Sequence, residues 1–203
     1  MSLNGKFQQL KVIAGFKGHR IWRGQGVLME TQEHRRQLVR LLRLAYSGEL
    51  AAALAYSGHW RSLRDPEERA TVQRIEREEL EHRETVGEML KALDEKPQIW
   101  REAMMWMIGR TVAVSCFLIG YFLPMYFAGK LEHANVMEYD GAAEHASHLG
   151  LERFIPQLHE MSKTEREHEV FFSSKALNHP LLPLVIAIFR WDPHEVLAIE
   201  PKP

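Results

Sequence analysis

The same four-residue pattern occurs twice in this chain, as Glu79-Leu80-Glu81-His82 and as Glu165-Arg166-Glu167-His168. In each copy the outer Glu and His are three residues apart. On an α-helix that spacing puts both side chains on one face, where a carboxylate and an imidazole can grip one metal ion together. The pattern demands two helices that turn these faces towards a shared interior. Helical bundles that hold a metal pair in carboxylates add a lone Glu from each of two further helices. One such motif on a charged helix is commonly a solvated face. Two of them, each inside a helical stretch, constrain the fold far more.

The remaining sequence supplies the helices. Leu38, Leu41, Leu42, Ala45 and Leu54 recur at helical spacing and predict a long helix over 31–62. Asp65-Pro66-Glu67-Glu68 is a restart signal, with a capping Asp, a Pro in the first turn and acids at the helix N-terminus. A second helix is expected over 66–93, with a break from Asp94 to Pro97. Residues 99–128 are strongly apolar, and a polar amphipathic stretch follows to 148. Gly150 and Pro156 mark another break before a last long helix over 157–177. Strand-like alternation is hard to find. The expectation is an all-α chain: a ferritin-like antiparallel four-helix bundle with one long crossover and extra apolar helical segments. Residues 31–178 would form the bundle, 1–30 a basic N-terminal extension, and 179–203 an apolar C-terminal segment packing on the bundle or on a membrane.

The first lone Glu is Glu49, the only carboxylate between Glu33 and Asp65. Its neighbours are small or apolar, so it reads as facing inward, and burying it is costly unless it is paired. Glu49 and Glu79 flank Asp65 at nearly matching distances along the chain. In an antiparallel hairpin the two therefore sit at nearly the same height. For the second lone Glu the third polar stretch offers Glu132, Glu138 and Glu144. Glu132 and Glu165 flank Gly150 in the same balanced way, which again levels the ligands. Glu138, nearer to Gly150, fits nearly as well. Four carboxylates and two imidazoles suit two ferrous ions, giving a near-neutral buried site; manganese or a mixed pair accepts the same donors. His34, His59, His133, His145, His148 and His159 read as surface groups or neighbours of the ligands. Cys116, the only cysteine, reads as a small core residue.

These residues resemble a known family. Tyr46-Ser47-Gly48-Glu49 and the Ala-rich stretch after it are similar to the first-helix His-Ala-Gly-Glu motif of the ferritin-like demethoxyubiquinone hydroxylases. The two Glu-x-x-His motifs match as well, and there is a more distant likeness to the membrane-bound alternative oxidases. The resemblance spans about residues 38–175. In both families a Tyr follows the third-helix Glu by seven residues, and Glu132 and Tyr139 reproduce that interval, which ranks Glu132 above Glu138. The resemblance implies a di-iron centre held by Glu49, Glu79, His82, Glu132, Glu165 and His168. Tyr139 beside it would relay an electron or proton, or position substrate. It also implies dioxygen-dependent hydroxylation of a lipid-tailed quinone ring, with NADH as the electron source. One departure is Glu138-Tyr139-Asp140, where the family usually has His-Tyr-Asn.

The stretch between Arg110 and Lys130 carries no charge and reaches the length of a membrane span. A span would carry Glu132 away from Glu49, so contact with one leaflet is the better expectation. The related enzymes are similar in lying on one leaflet, which implies a cytoplasmic, peripheral location on the inner face of a membrane. Leu181 to Phe189, and the basic residues Lys6, Lys11, Lys17, Arg20 and Arg23, are further candidate contacts. Burial in the core or a homodimer interface would explain the same apolar residues. A net charge of -1 gives no reason to invoke nucleic acid. Two alternatives use the same ligands: a protein that binds or oxidises iron without an organic substrate, and a quinol oxidase.

Overall fold

The computed structural model describes the backbone of residues 4–199 and the side chains of residues 28–198. Among them there are helices and no strand: α1 (Asn4–Ser62), α2 (Pro66–Ala92), α3 (Ile99–Ser115), α4 (Phe122–His148), α5 (Ile155–Ala176), α6 (Leu182–Phe189) and α7 (Pro193–Ile199). The basic side chains expected to meet lipid, from Lys6 to Arg23, lie outside the described residues.

The turn between α1 and α2 forms where the sequence asks for it. Asp65 is extended and accepts hydrogen bonds from the backbone N–H of Glu67 and Glu68, both at 2.9 Å. Pro66 occupies the first helical position, where a missing N–H costs nothing. A cap of this kind contributes about 1 kcal/mol. The chain therefore doubles back, and Arg43 on α1 reaches the backbone oxygen of Lys96 just beyond α2.

The ladder of contacts fixes the topology. α3 runs beside α1 in the same direction: Arg101 lies by Ser47, Gly109 against Ala51, and Ala113 against Gly58. It carries the chain back to the Asp65 end without joining the four-helix core. α4 then runs antiparallel to α1, with Tyr56 meeting Glu132 and Tyr139 meeting Glu49. α5 is antiparallel to α4, through Ser162–Asp140 and His133–Glu169. It is also antiparallel to α2, through His82–Glu165 and Glu78–His168. The result is an antiparallel bundle of α1, α2, α4 and α5, with α3 as the long crossover on its flank.

Two boundaries differ from the expectation. α1 begins at Asn4 rather than at residue 31, and the apolar stretch 99–128 is interrupted at residues 116–121. Pro124 is the third residue of α4, where a helix N–H has no intrahelical partner to lose. The uncharged run is thus split between two helices. Among the described residues no helix is long and apolar enough to cross a membrane.

Two apolar layers fill the bundle. One contains Leu38, Leu42, Val86, Met89 and Leu158; the other contains Tyr56, Val72, Ile75, Met125 and Phe172. A third cluster docks the C-terminal helices: Trp191 and Val185 pack on Tyr126, whose hydroxyl donates to the backbone oxygen of Trp191 at 2.8 Å.

Small residues let α3 lie close to α1. A Cβ on Gly109 would stand 2.6 Å from the backbone oxygen of Ala51, so only glycine fits at this spacing. Gly109→Val should push the helices apart and cost about 1–3 kcal/mol, read as a lower urea midpoint with an unchanged helical circular dichroism spectrum.

Candidate metal centre

Between the two apolar layers lies a polar one. Each of the four bundle helices contributes to it: Glu49 from α1, Glu79 and His82 from α2, Glu132 from α4, and Glu165 and His168 from α5. All six are buried. They fall into two overlapping groups, Glu49 with Glu79, His82 and Glu165, and Glu79 with Glu132, Glu165 and His168. Within each group the potential ligand atoms lie within 4.8 Å of one another. Glu79 and Glu165 belong to both groups, the place of carboxylates that bridge two ions. Glu138 belongs to neither; it is partly buried, near Arg40 and Arg101. Glu144 is exposed beside His148.

The donor atoms have too few partners of their own. Glu49 Oε2, both oxygens of Glu79, Glu165 Oε2 and His168 Nδ1 are buried without a hydrogen bond. Native interiors leave only a few such atoms unpaired per hundred residues, and here several converge on one layer. His168 Nε2 is occupied by Glu78 at 2.8 Å. Its Nδ1 turns inward, 3.3 Å from Glu79 and 3.5 Å from Glu165. A carboxylate on the outer nitrogen is how metal-ligating imidazoles are commonly oriented. His82 Nδ1 lies 2.8 Å from Glu165. This donor set fits a pair of divalent cations.

Electrostatics agree with that fit. Burial, and then the repulsion of Glu165, pushes the carboxyls of Glu79 and Glu132 well above the usual range. Burial raises Glu49 too. Burial would raise Glu165 as well, but hydrogen bonds from His168 and His82 outweigh it and hold that carboxyl low. The same contacts to Glu165 overcome burial and raise both imidazoles. Without a cation the layer keeps protons that it would shed to a metal.

Two tyrosines brace the layer. Tyr139 donates to Glu49 Oε1 and Tyr56 to Glu132 Oε1, while Asn135 donates to Glu132 Oε2 at 3.0 Å. Burial, then the neighbouring carboxylates, raises both phenols well above their usual range, so they remain donors. Tyr56 was not among the expected site residues. It lies two helical turns beyond Glu49, on the same helix face, but nothing in its Ala-rich surroundings distinguishes it from a core aromatic. Glu78 was lost among the charges of 76–84.

Of the other histidines, His133 bridges α4 to the buried Glu169 at 2.8 Å, and exposed His159 lies 3.9 Å from Asp140. His34, midway along α1, meets His145 and His148 at the C-terminal end of α4. His59, read as a surface group or a neighbour of the ligands, is buried on α1 against Phe172 and belongs to neither ligand group. Cys116 is buried as expected, and burial pushes its thiol up to about 11.

Beside the polar layer, α1, α3 and α4 enclose an apolar cavity of about 420 Å³. Gly48, Ala52 and Tyr56 line it on α1, Ile108 and Val112 on α3, and Leu131 on α4.

The family model described as ubiquinone biosynthesis protein COQ7 matches residues 36–179. The chain belongs to this family. No curated protein and no solved structure matches it. Members of the COQ7 family are di-iron hydroxylases of ubiquinone biosynthesis, so the chain is an oxidoreductase. The COQ7 match takes in all six clustered residues and ends before α6 and α7.

Raised pKa values have a measurable consequence. The folded layer holds protons on Glu79 and Glu132 above the ordinary carboxyl range, and on His82 and His168 above the ordinary imidazole range, that the unfolded chain releases there, so metal-free stability falls as pH rises. His59, pushed down to about 4 by burial, opposes this trend only until the unfolded imidazole has lost its proton, within about one pH unit above 6.5. The melting temperature of metal-free protein should decline from about pH 6.5 to about pH 8.5, and that of iron-loaded protein should decline much less. Parallel profiles would show that the layer does not hold these protons.

Proposed function

We propose that this chain is a di-iron, dioxygen-dependent monooxygenase that hydroxylates the ring of a lipid-tailed quinone precursor. The observation that carries this reading is the pairing of two overlapping ligand groups with an apolar cavity alongside. Glu49, Glu79, His82 and Glu165 would hold one ion, and Glu79, Glu132, Glu165 and His168 the other. When bound, a pair of ferrous ions supplies electrons and open coordination positions for the reduction of dioxygen.

This chain's own residues have distinct tasks. Four carboxylates balance the charge of two divalent ions, so the loaded layer is near neutral and tolerates burial. The tyrosine hydroxyls fix the outer carboxylates: Tyr56 holds Glu132, and Tyr139 holds Glu49. Through its bond to Glu49, Tyr139 would relay a proton, or an electron, at the edge of the site. The cavity excludes water and receives an apolar ring. Several of its lining residues are also partly exposed, among them Ile108, Val112, Ile119, Phe127 and Leu131. They form an apolar mouth through which a lipid substrate can slide.

Around that mouth Trp106, Phe117 and Leu118 are exposed, as are Leu184 and Ile188 on α6. So large an apolar surface needs a cover, and a membrane leaflet on the cytoplasmic side suits a substrate that lives there. A homodimer would cover the same residues. By resemblance NADH supplies the reducing equivalents, and iron rather than manganese or a mixed pair is the resident metal. An iron-handling protein without organic substrate uses the same ligands but has no need of the cavity.

Metal content and activity test this reading together. Protein produced with added iron should carry about two irons per chain, and a Glu79→Ala/His168→Ala double variant almost none. The loaded protein, given NADH, dioxygen and a demethoxyquinone with a short prenyl tail, should yield product heavier by one oxygen atom. Absence of iron from both proteins would end the di-iron reading; iron without oxygenated product would favour an iron-handling role.

A further inference from the structure

The apolar cavity has one polar inconsistency in its wall. His59 lines it, is only 2% exposed, and has an Nε2 with no hydrogen-bond partner. The imidazole belongs to an aromatic stack, 6.4 Å from the ring of Tyr56 and 5.9 Å from that of Phe172. Nearby polar groups do not satisfy the buried nitrogen. Ser62 bonds instead to the backbone oxygen of His59, and the Cys116 thiol is a weak donor. Burial keeps the ring neutral at physiological pH, as its low pKa of about 4 requires. A neutral imidazole carries one donor and one acceptor.

Position gives this nitrogen a use. His59 follows Tyr56 by one helical turn, and Tyr56 is bonded to Glu132. Tyr56 and His59 both line the cavity, so a ring held against Tyr56 lies within reach of the imidazole. The small residues Gly48, Ala51, Ala52 and Ala55 leave the space for that ring. In the empty cavity protein atoms cover Nε2, so a turn of the imidazole about its Cβ–Cγ bond is what presents it.

We propose that His59 is a specificity-determining residue, which hydrogen-bonds an oxygen substituent on the ring edge facing away from the metal ligands. The inference rests on the assignment of this cavity to the substrate. An apolar wall alone discriminates weakly between molecules of one shape. A buried polar group that must find a partner discriminates far more strongly, because the wrong ligand leaves it unpaired. The cavity would thus prefer an oxygen-bearing ring with an apolar tail to a plain hydrocarbon of the same outline.

Two probes of matched shape test this on the full, iron-loaded chain under argon, where no turnover occurs: a decyl-substituted dimethoxybenzene and the corresponding decyl-substituted diethylbenzene. Binding is read by displacement of an apolar fluorescent dye. Wild-type protein should favour the methoxy compound by about fivefold. His59→Leu should bind the diethyl compound at least as well and lose the preference. His59→Gln, which restores a donor and an acceptor, should recover most of it. The ring nitrogen resonance of His59 should shift with the methoxy compound and not with the diethyl compound. An unchanged preference in His59→Leu, or no shift in the wild type, overturns the proposal. Failure of both probes to bind overturns it together with the cavity's assignment; iron content and product formation then show whether the hydroxylase reading falls too.

Discussion

Four carboxylates and two imidazoles occupy a single layer of this bundle, sealed above and below by apolar side chains. Burying so many ionisable groups carries a desolvation cost of several kcal/mol per charge unless counter-charges are supplied. Among the described residues no lysine or arginine is buried with them. The layer has only two ways to be tolerated: it keeps protons, or it takes cations. Helix register follows from the same requirement. Each of the four bundle helices must bring its acid to one height, and the turn at Asp65 and the α4–α5 connection are sized to do so.

The supporting contacts follow the same logic one step out. Glu78 orients His168, Tyr139 and Tyr56 hold the outer carboxylates, and Asn135 adds a second bond to Glu132. Glu169 lies directly after a ligand-layer histidine and ties together His133, Arg166 and Trp191. Through Trp191 the C-terminal helices are fastened at the height of the site, although they contribute nothing to it. Rigidity at the ligands is thus shared between the bundle and a segment that lies outside the matched family region.

Much of this was legible before any coordinates. Glu49 stood out because it is the lone acid in a small and apolar stretch. The twin Glu-x-x-His motifs stood out by repetition, and Asp65-Pro66 by its capping chemistry. What could not be read depends on tertiary packing. The break at 116–121 lies in an uncharged run, and Pro124 just beyond it marks no break because proline is tolerated in a helix's first turn. Tyr56 looked like any core aromatic until α4 brought Glu132 to its hydroxyl. For His59 surface and interior both stayed open, because nothing local announces that Phe172 on α5 stacks against it.

α3 stands apart from the other helices around the site. It packs on α1 through small residues and forms one wall of the cavity, yet it supplies none of the six clustered side chains. Reactivity and selectivity are therefore written on separate helices. Residues such as Ile108 and Val112 can vary, and the shape of the accepted molecule with them, while the acids at the centre keep their spacing. A bundle divided in this way can acquire new substrates without relearning its chemistry.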